Sequence, residues 1–299
     1  MMDSTHESGL PSSVRIATRR SRLAMWQSEH VRGLLGERFP GLVVELLPMT
    51  TQGDERLDRS LAEIGGKGLF LKELERAILD GEADFAVHSL KDVPAESPEG
   101  LALHAFLPGA DPGDLWIGRD GLGPMDLPAG SRVGSSSLRR ISQLRALRDD
   151  LEIVPLRGNV ETRLDAVRGG RVDATILAAA GLQRLDIVPE GAVALPLERW
   201  LPAPGQGVVT VQGRADAASL APLFAALDNA TTRCRVEAER AVVAVLGGDC
   251  RMPLAAHAVE RDGRLHLTAR LGSRAGRLVD AGGDAPPSEA AVLGADVAR

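Results

Sequence analysis

Residues 132–140 read Arg-Val-Gly-Ser-Ser-Ser-Leu-Arg-Arg. Arg132 and Val133 make a short strand that runs into Gly134. Ser135, Ser136 and Ser137 form a small polar turn, and a helical run opens at Leu138 with Arg139 and Arg140 in its first turn. Strand, small turn and helix start together form an anion-binding device. A helix N-terminus offers free N–H groups and a partial positive charge. The serines add hydroxyl donors, and each guanidinium can grip a carboxylate or phosphate with two parallel bonds.

The same unit recurs on both sides of this stretch. Residues 14–17 read as a strand, followed by Arg19 and Arg20, with Ser21 as an N-cap and Leu23, Trp26, His30, Val31, Leu34 and Leu35 as one apolar stripe. A second strand covers 42–48. A third, 84–87, is apolar and runs into His88, Ser89, Leu90, Lys91 and Asp92. Downstream, Arg157 and Gly158 follow a strand at 152–155, and Asn159 caps a helix carrying Arg163. A strand at 173–177 leads into a short helix, 178–184, bearing Arg184. Repetition of strand, arginine-bearing turn and helix predicts parallel pairing in an α/β fold. Ligands in such sheets bind at the carboxyl ends of the strands. Lys91 and Asp92 at such an end read either as an acid/base pair or, for Asp92, as the cap of a turn before Pro94.

Two Pro- and Gly-rich segments, 108–114 and 201–212, read as hinges. Two crossings between two lobes around a cleft are similar to the periplasmic-binding-protein arrangement. The expected fold is α/β: two such lobes with mixed, mainly parallel sheets, plus a small α+β C-terminal domain. The expected boundaries are 14–107 with 208–226 for lobe 1, 113–201 for lobe 2 and 229–299 for the third domain. That domain is read as a helical run over 220–246, a Gly-rich loop at 247–253 containing Cys250, and strands 254–260 and 265–271 around a turn at 261–263. A final helix near Pro287 looks short for closing a domain. Residues 1–13 read as a disordered leader, 50–68 as a lid with Lys67 near its end, and 69–79 as an amphipathic helix.

Composition narrows the classes. The 299 residues include 35 basic and 41 acidic side chains, a net charge of −6, so no global basic field invites nucleic acid. Anion binding must come from local arginines, although a high Arg, Ala and Gly content also fits plain genome composition. No apolar leader and no run of about 18 apolar residues is present, which points to the cytoplasm and away from the membrane. The two cysteines, Cys234 and Cys250, make no zinc pattern. Cys250 reads as a small buried hydrophobe or as a nucleophile. His88, His104 and His257 lack metal-ligand spacing, so no metal is expected. These readings stop at a two-lobed anion-binding cleft, and leave an enzyme and a non-catalytic carboxylate-binding protein both open.

The motifs taken in order go further. RIATRRS (15–21), GGKGLF (65–70), AVHSLKDVP (86–94), GSSSLRR (134–140), LRGNVETRL (156–164), AAGLQRL (179–185), PAPGQG (202–207) and GGDCRMP (247–253) resemble the hydroxymethylbilane synthase family, also called porphobilinogen deaminases. The resemblance spans nearly the whole chain. It implies a transferase that joins four porphobilinogens head to tail and releases ammonia at each addition. It also implies a dipyrromethane primer held by a thioether, which motif position assigns to Cys250; Cys234 keeps the bland reading. Asp92 matches the catalytic aspartate. Ser21, Lys91, Asp92, Ser137, Arg139, Arg140 and Arg157 match primer-contacting positions, and Ser136 matches a primer- or substrate-contacting one. Arg19, Arg157, Arg163, Arg184 and Gln206 match substrate-contacting ones. Each pyrrole carries an acetate and a propionate, so a row of arginines suits the chain. The family expectation is a monomer without metal. Asp249, Glu63 and Ser135 depart from common family residues; the first sets a second carboxylate beside the primer cysteine.

Overall fold

The computed structural model describes residues 10–51, 71–247 and 252–299. Most of the expected lid, with Glu63 and Lys67, and the loop with Asp249 and Cys250 lie outside the described residues. The first lobe opens with β1 (Ser13–Arg19), α1 (Arg22–Arg38), β2 (Val43–Met49), α2 (Lys72–Leu79), β3 (Phe85–Ser89), a single 3-10 turn (Leu90–Asp92) and β4 (Leu101–Phe106). The chain then crosses to β5 (Asp114–Gly118), β6 (Arg132–Gly134), α3 (Leu138–Leu147), β7 (Glu152–Val154), α4 (Val160–Arg168), β8 (Ala174–Ala178), α5 (Ala179–Arg184) and β9 (Val193–Leu195). It crosses back to β10 (Val209–Arg214), which enters the first sheet.

The two sheets share one plan. The first has the order β2-β1-β3-β10-β4, the second β7-β6-β8-β5-β9. β1 pairs parallel with β2 and β3, while β10 lies antiparallel between β3 and β4. β6 likewise pairs parallel with β7 and β8, while β5 lies antiparallel between β8 and β9. In each sheet the reversed strand is the one that follows a crossing. The mixed, mainly parallel two-lobe fold is therefore as expected. The crossings touch: Ala110 N–H donates to Gly207 O at 3.1 Å. Gly207 has φ +87°, and a Cβ there would sit 2.6 Å from Ala110 O, so a side chain would pry the crossings apart.

Several local readings are corrected. Asp114 is not the end of a hinge but the first residue of β5, with 1% exposure. The α1 stripe is rotated from the expected one: Ala24, Gln27, Ser28, Val31 and Leu35 are buried, whereas Trp26 is 37% exposed. Trp26 stacks on His30 and meets Arg184 of the second lobe at 5.7 Å. The run over 220–246 is two helices, α6 (Ala221–Leu227) and α7 (Ala230–Val245). Asp228 is extended between them, and Asn229 caps α7 by accepting Thr232 N–H at 2.9 Å.

The third unit adds the sheet β11 (Leu254–Arg261), β12 (Arg264–Gly272) and β13 (Leu278–Ala285), then α8 (Ala290–Ala298). The β11–β12 turn places Asp262 and Gly263 at positive φ, as a tight hairpin requires. β13 went unread because its sequence, LVDAGGDA, has little strand propensity and almost no buried face. The short α8 does close the unit: Ala290 and Leu293 bury against Ala238 and Val242 of α7 and Leu265 and Leu267 of β12. Cys234 packs half-buried against the same core. No helix among the described residues is long and apolar enough to cross a membrane.

Candidate functional site

The carboxyl ends of β1, β3, β6 and β8 face one another across a cleft of about 700 Å³, closed below by the second crossing. Local chemistry sets the first turns of the helices that line it. Ser21 caps α1 by accepting Ala24 N–H at 3.4 Å. Ser137 caps α3 by accepting Arg140 N–H at 3.4 Å, and Asn159 caps α4 by accepting Thr162 N–H at 2.8 Å. Such caps contribute about 1 kcal/mol each and leave the remaining first-turn N–H groups aimed at the cleft. Ser136 Oγ donates to Leu156 O at 3.2 Å, which pins the serine turn to the segment that follows β7.

A buried ionic cluster lies under the serine turn. Arg140 donates to Asp114 through Nη2 at 2.7 Å and Nε at 3.2 Å, and to Ile176 O through Nη1 at 2.9 Å. Arg139 donates to the same carboxylate at 2.9 Å, to Leu201 O at 2.7 Å and to Gln206 Oε1 at 3.4 Å. Trp200 Nε1–H donates to Asp114 at 2.9 Å. Gln206 Nε2 donates to Asp114 Oδ1 at 2.9 Å and to Pro112 O at 2.6 Å, tying one crossing to the other. Burial alone would raise the Asp114 pKa, but the two arginines overcome it and hold the carboxyl well below its usual range. One negative charge against two positive ones leaves the cluster cationic. Each guanidinium has five N–H groups, and these contacts use three on each. Arg139 and Arg140 are thus cleft-lining residues with a structural partner of their own.

Above this base lies an excess of cations. Arg19, Arg20, Lys91, Arg139, Arg140, Arg157, Arg163, Arg184 and Arg240 line the cleft, against the carboxylates of Asp92 and Glu161. Arg163 donates to Gly158 O at 3.0 Å, and Arg184 to Gly207 O at 2.6 Å. Neither meets a carboxylate among the described residues. Burial pulls both guanidiniums down to about 10, which leaves them charged at neutral pH. Lys91 Nζ donates to Gln206 Oε1 at 3.4 Å, and burial lowers its pKa to about 8. Arg22 of the first lobe pairs with Glu161 of the second at 2.7 Å across the cleft.

Asp92 stands exposed on the 3-10 turn at the end of β3. Its negative charge acts on both Lys91 and Arg163. The turn is closed by Val93 N–H on Leu90 O at 3.0 Å. Arg240 of α7 donates to the three carbonyls that follow: Val93 at 3.2 Å, Pro94 at 2.8 Å and Ala95 at 2.9 Å. Behind the turn, His88 Nε2 lies 3.0 Å from Gln212 Oε1, and Gln212 Nε2 donates to Glu75 at 3.1 Å. That direction makes the imidazole the donor at Nε2. Burial pushes His88 down to about 4, so it is a neutral supporting group.

The structure therefore brings together Arg19, Ser21, Lys91, Asp92, Ser136, Ser137, Arg139, Arg140, Arg157, Arg163, Arg184 and Gln206 in one cleft. Cys250 lies outside the described residues, while Met252, close behind it in sequence, lines the cleft. Sequence reading missed Asp114, Trp200, Glu239 and Arg240. For Asp114 the signal was an acid opening an apolar strand. For Glu239 it was a carboxylate on the buried stripe of a helix, with Val236 and Val242 one turn to either side.

The sequence matches known proteins over most of its length. Residues 14–221 match the family model "Porphobilinogen deaminase, dipyromethane cofactor binding domain", and residues 233–299 match "Porphobilinogen deaminase, C-terminal domain". A porphobilinogen deaminase of Stenotrophomonas maltophilia is 54% identical over 288 residues, covering 96% of this chain and 95% of the relative. One from Xanthomonas axonopodis pv. citri is 53% identical over 291 residues, with the same coverage. Among solved structures, the methionine binding protein MetQ aligns at 12% identity and TM-score 0.47, covering 73% of this chain and 90% of its own. The periplasmic VFT2 domain of Bordetella pertussis BvgS aligns at 18% and 0.45, covering 72% and 86%.

Proposed function

We propose how the cleft works from one premise: this chain belongs to the porphobilinogen deaminase family. Its activity is that of a hydroxymethylbilane synthase, a transferase of tetrapyrrole and heme biosynthesis. It condenses four porphobilinogens head to tail into a linear tetrapyrrole with loss of ammonia, on a dipyrromethane cofactor. We take residues 14–107 with 208–226, 113–201 and 229–299 as its three domains, the cytoplasm as its setting, and a monomer as its state.

The observation that carries the mechanism is one exposed carboxylate, Asp92, in a cleft lined by nine cationic side chains. That donor set fits the cofactor. Two linked pyrroles bear four carboxylates, and Arg163, Arg184 and Lys91 offer N–H groups that no carboxylate among the described residues takes. Arg157, Ser21 and Ser137 extend the grip, and Arg139 and Arg140 contribute the N–H groups that Asp114 leaves. A thioether to Cys250 would tether the primer, whose free ring carbon would supply the nucleophile for the first addition, the terminal ring of the growing chain serving for each later one. Arg19, Arg157, Arg163, Arg184 and Gln206 orient the acetate and propionate of the incoming porphobilinogen. Orientation of two reactants in one cleft is itself a large part of the rate.

Asp92 does the chemistry on the substrate. When ammonia leaves, porphobilinogen becomes a cation delocalised over its pyrrole ring. A carboxylate held at about 4 Å from that charge is worth about 4 kcal/mol at an effective dielectric constant of about 20. The same group can pass a proton to the departing amine and take one from the coupled ring carbon. The surrounding guanidiniums are donors only and so hold without competing for that proton.

This reading predicts that Asp92→Asn retains the covalent primer and loses turnover on the order of a thousandfold, the rate equivalent of about 4 kcal/mol. Porphobilinogen consumption per primer-loaded chain measures it. Near-normal turnover would remove Asp92 from the role.

A further inference from the structure

On the roles of Asp92 and Gln206 given above, we propose that Glu239 and Arg240, neighbours on α7, are positioning residues for the reaction. Arg240 fixes the loop that leaves Asp92, and Glu239 fixes the crossing that carries Gln206. The third domain then sets the geometry of a site whose reacting groups stand elsewhere.

Glu239 is 4% exposed, and its two oxygens do two jobs. Oε2 accepts Gly205 N–H at 2.7 Å, and Oε1 accepts Ala258 N–H at 2.8 Å. Gly205 immediately precedes Gln206, whose amide spans Pro112 O, Asp114 and Lys91. A carboxylate satisfies two N–H donors at once; a carboxamide presents one acceptor and one donor and must fail one of them. The residue behind the hinge glutamine is thus held by the only common side-chain chemistry, a carboxylate, that can serve both the crossing and β11.

Arg240 works in the other direction. Its guanidinium fans over Val93 O, Pro94 O and Ala95 O, three successive carbonyls directly after Asp92. No strand ladder serves those carbonyls, and Val93 N–H folds back to Leu90 O. Turn and loop are therefore one unit with Asp92 inside it, and Arg240 is its outer anchor. Adjacent helix residues point about 100° apart, which is how neighbours on α7 reach two separate loops. The hydrophobic core of the third domain, which includes Ala238, Val242, Leu254 and Leu267, adjoins Glu239 through Ala258, whose N–H the carboxylate accepts. α7 ends at Val245, a short step in sequence before Cys250, so one helix links the tether, the acid and the hinge.

The test uses full-length, primer-loaded protein with Arg240→Ala, Arg240→Lys and Glu239→Gln. The loaded fraction comes from intact mass, and kinetics are run well below each melting temperature. Two readouts are taken: kcat and KM per loaded chain, and hydrogen exchange of the backbone at 90–97 and 203–207. We expect Arg240→Ala to lower kcat about tenfold to a hundredfold, with KM changed less than about threefold. Exchange should rise at 90–97 and not at 132–140. Arg240→Lys should recover most of the loss, because an ammonium also gives three donors to carbonyls. Glu239→Gln should lower kcat and loosen 203–207. The proposal is overturned if kcat per loaded chain stays within about twofold of the parent, or if exchange at 90–97 is unchanged in Arg240→Ala. A parent protein that does not consume porphobilinogen would instead strike the family reading.

Discussion

Asp114 has one negative charge to share between two buried guanidiniums. Its removal leaves Arg139 and Arg140 facing each other without a counterion, which is the costly way to break a buried ionic cluster. Asp114→Asn should destabilise the fold by about 3–5 kcal/mol in denaturant titration; a loss under about 1 kcal/mol, the worth of an exposed pair, would mean the cluster is solvated. Lys91 is the residue whose charge can change in the working range. Its pKa is lowered by burial to about 8, so it is cationic below that pH and neutral above it. The unfolded chain, with a higher pKa, binds more protons between these values. The stability cost of burying Lys91 is therefore present below about 8 and relieved as pH rises towards the free-lysine value. Function runs the opposite way, because a carboxylate ligand loses its partner. The grip of Lys91 on the carboxylates of the primer should weaken above pH 8, so turnover per loaded chain should fall there, and Lys91→Arg should flatten that fall. An identical pH profile in the variant would remove Lys91 from primer binding. These residue-level roles were unevenly legible. The arginines and Asp92 stood at strand ends where sequence reading looks for ligands. Asp114 did not, because its neighbours Pro112 and Gly113 made it look like part of a turn.

Strand ends and first helical turns deliver nearly every polar group of the cleft, so these junctions are where small changes should tell. Gly134 closes β6 beside Leu156; a Cβ there would lie 2.5 Å from Leu156 Cδ2 and 2.9 Å from its Cβ. Gly134→Ala should cost about 1–3 kcal/mol by overpacking and displace the serine turn that caps α3. Thermal unfolding together with the loaded fraction by mass checks both effects; an unchanged melting temperature would show that the junction has slack. The alternation of strand, arginine turn and helix was readable in part because three of its units carry a side-chain cap, Ser21, Ser137 and Asn159, while α5 has none. What was not readable depended on partners far away in sequence. The face of α1 rotates because Trp26 and His30 turn towards Arg184 of the other lobe. The break between α6 and α7 rests on Asp228, whose carboxylate takes Phe106 N–H at 2.8 Å and pairs with Arg233. β13 forms because β12 offers it a ladder, its own residues having little strand preference.

At the scale of the molecule, three bodies contribute to one cleft. The lobes supply cations from facing strand ends, and Gln206 ties the two crossings together between them. The lobes also meet at the Arg22–Glu161 pair, which is exposed and worth at most about 1 kcal/mol. So weak a contact does not hold the lobes against a shift as a chain grows. The third domain adds Arg240, Met252 and Leu254 to the wall and follows α7 with the cysteine loop. The central claim is that this cleft holds a pyrrole chain tethered at Cys250, and the intact mass of the purified chain tests it most directly. The expected result is a mass above that of the bare polypeptide by two linked pyrroles, growing by whole pyrrole units on addition of porphobilinogen, and absent in Cys250→Ser. A parent chain at the bare polypeptide mass, unchanged after incubation with porphobilinogen, would contradict it.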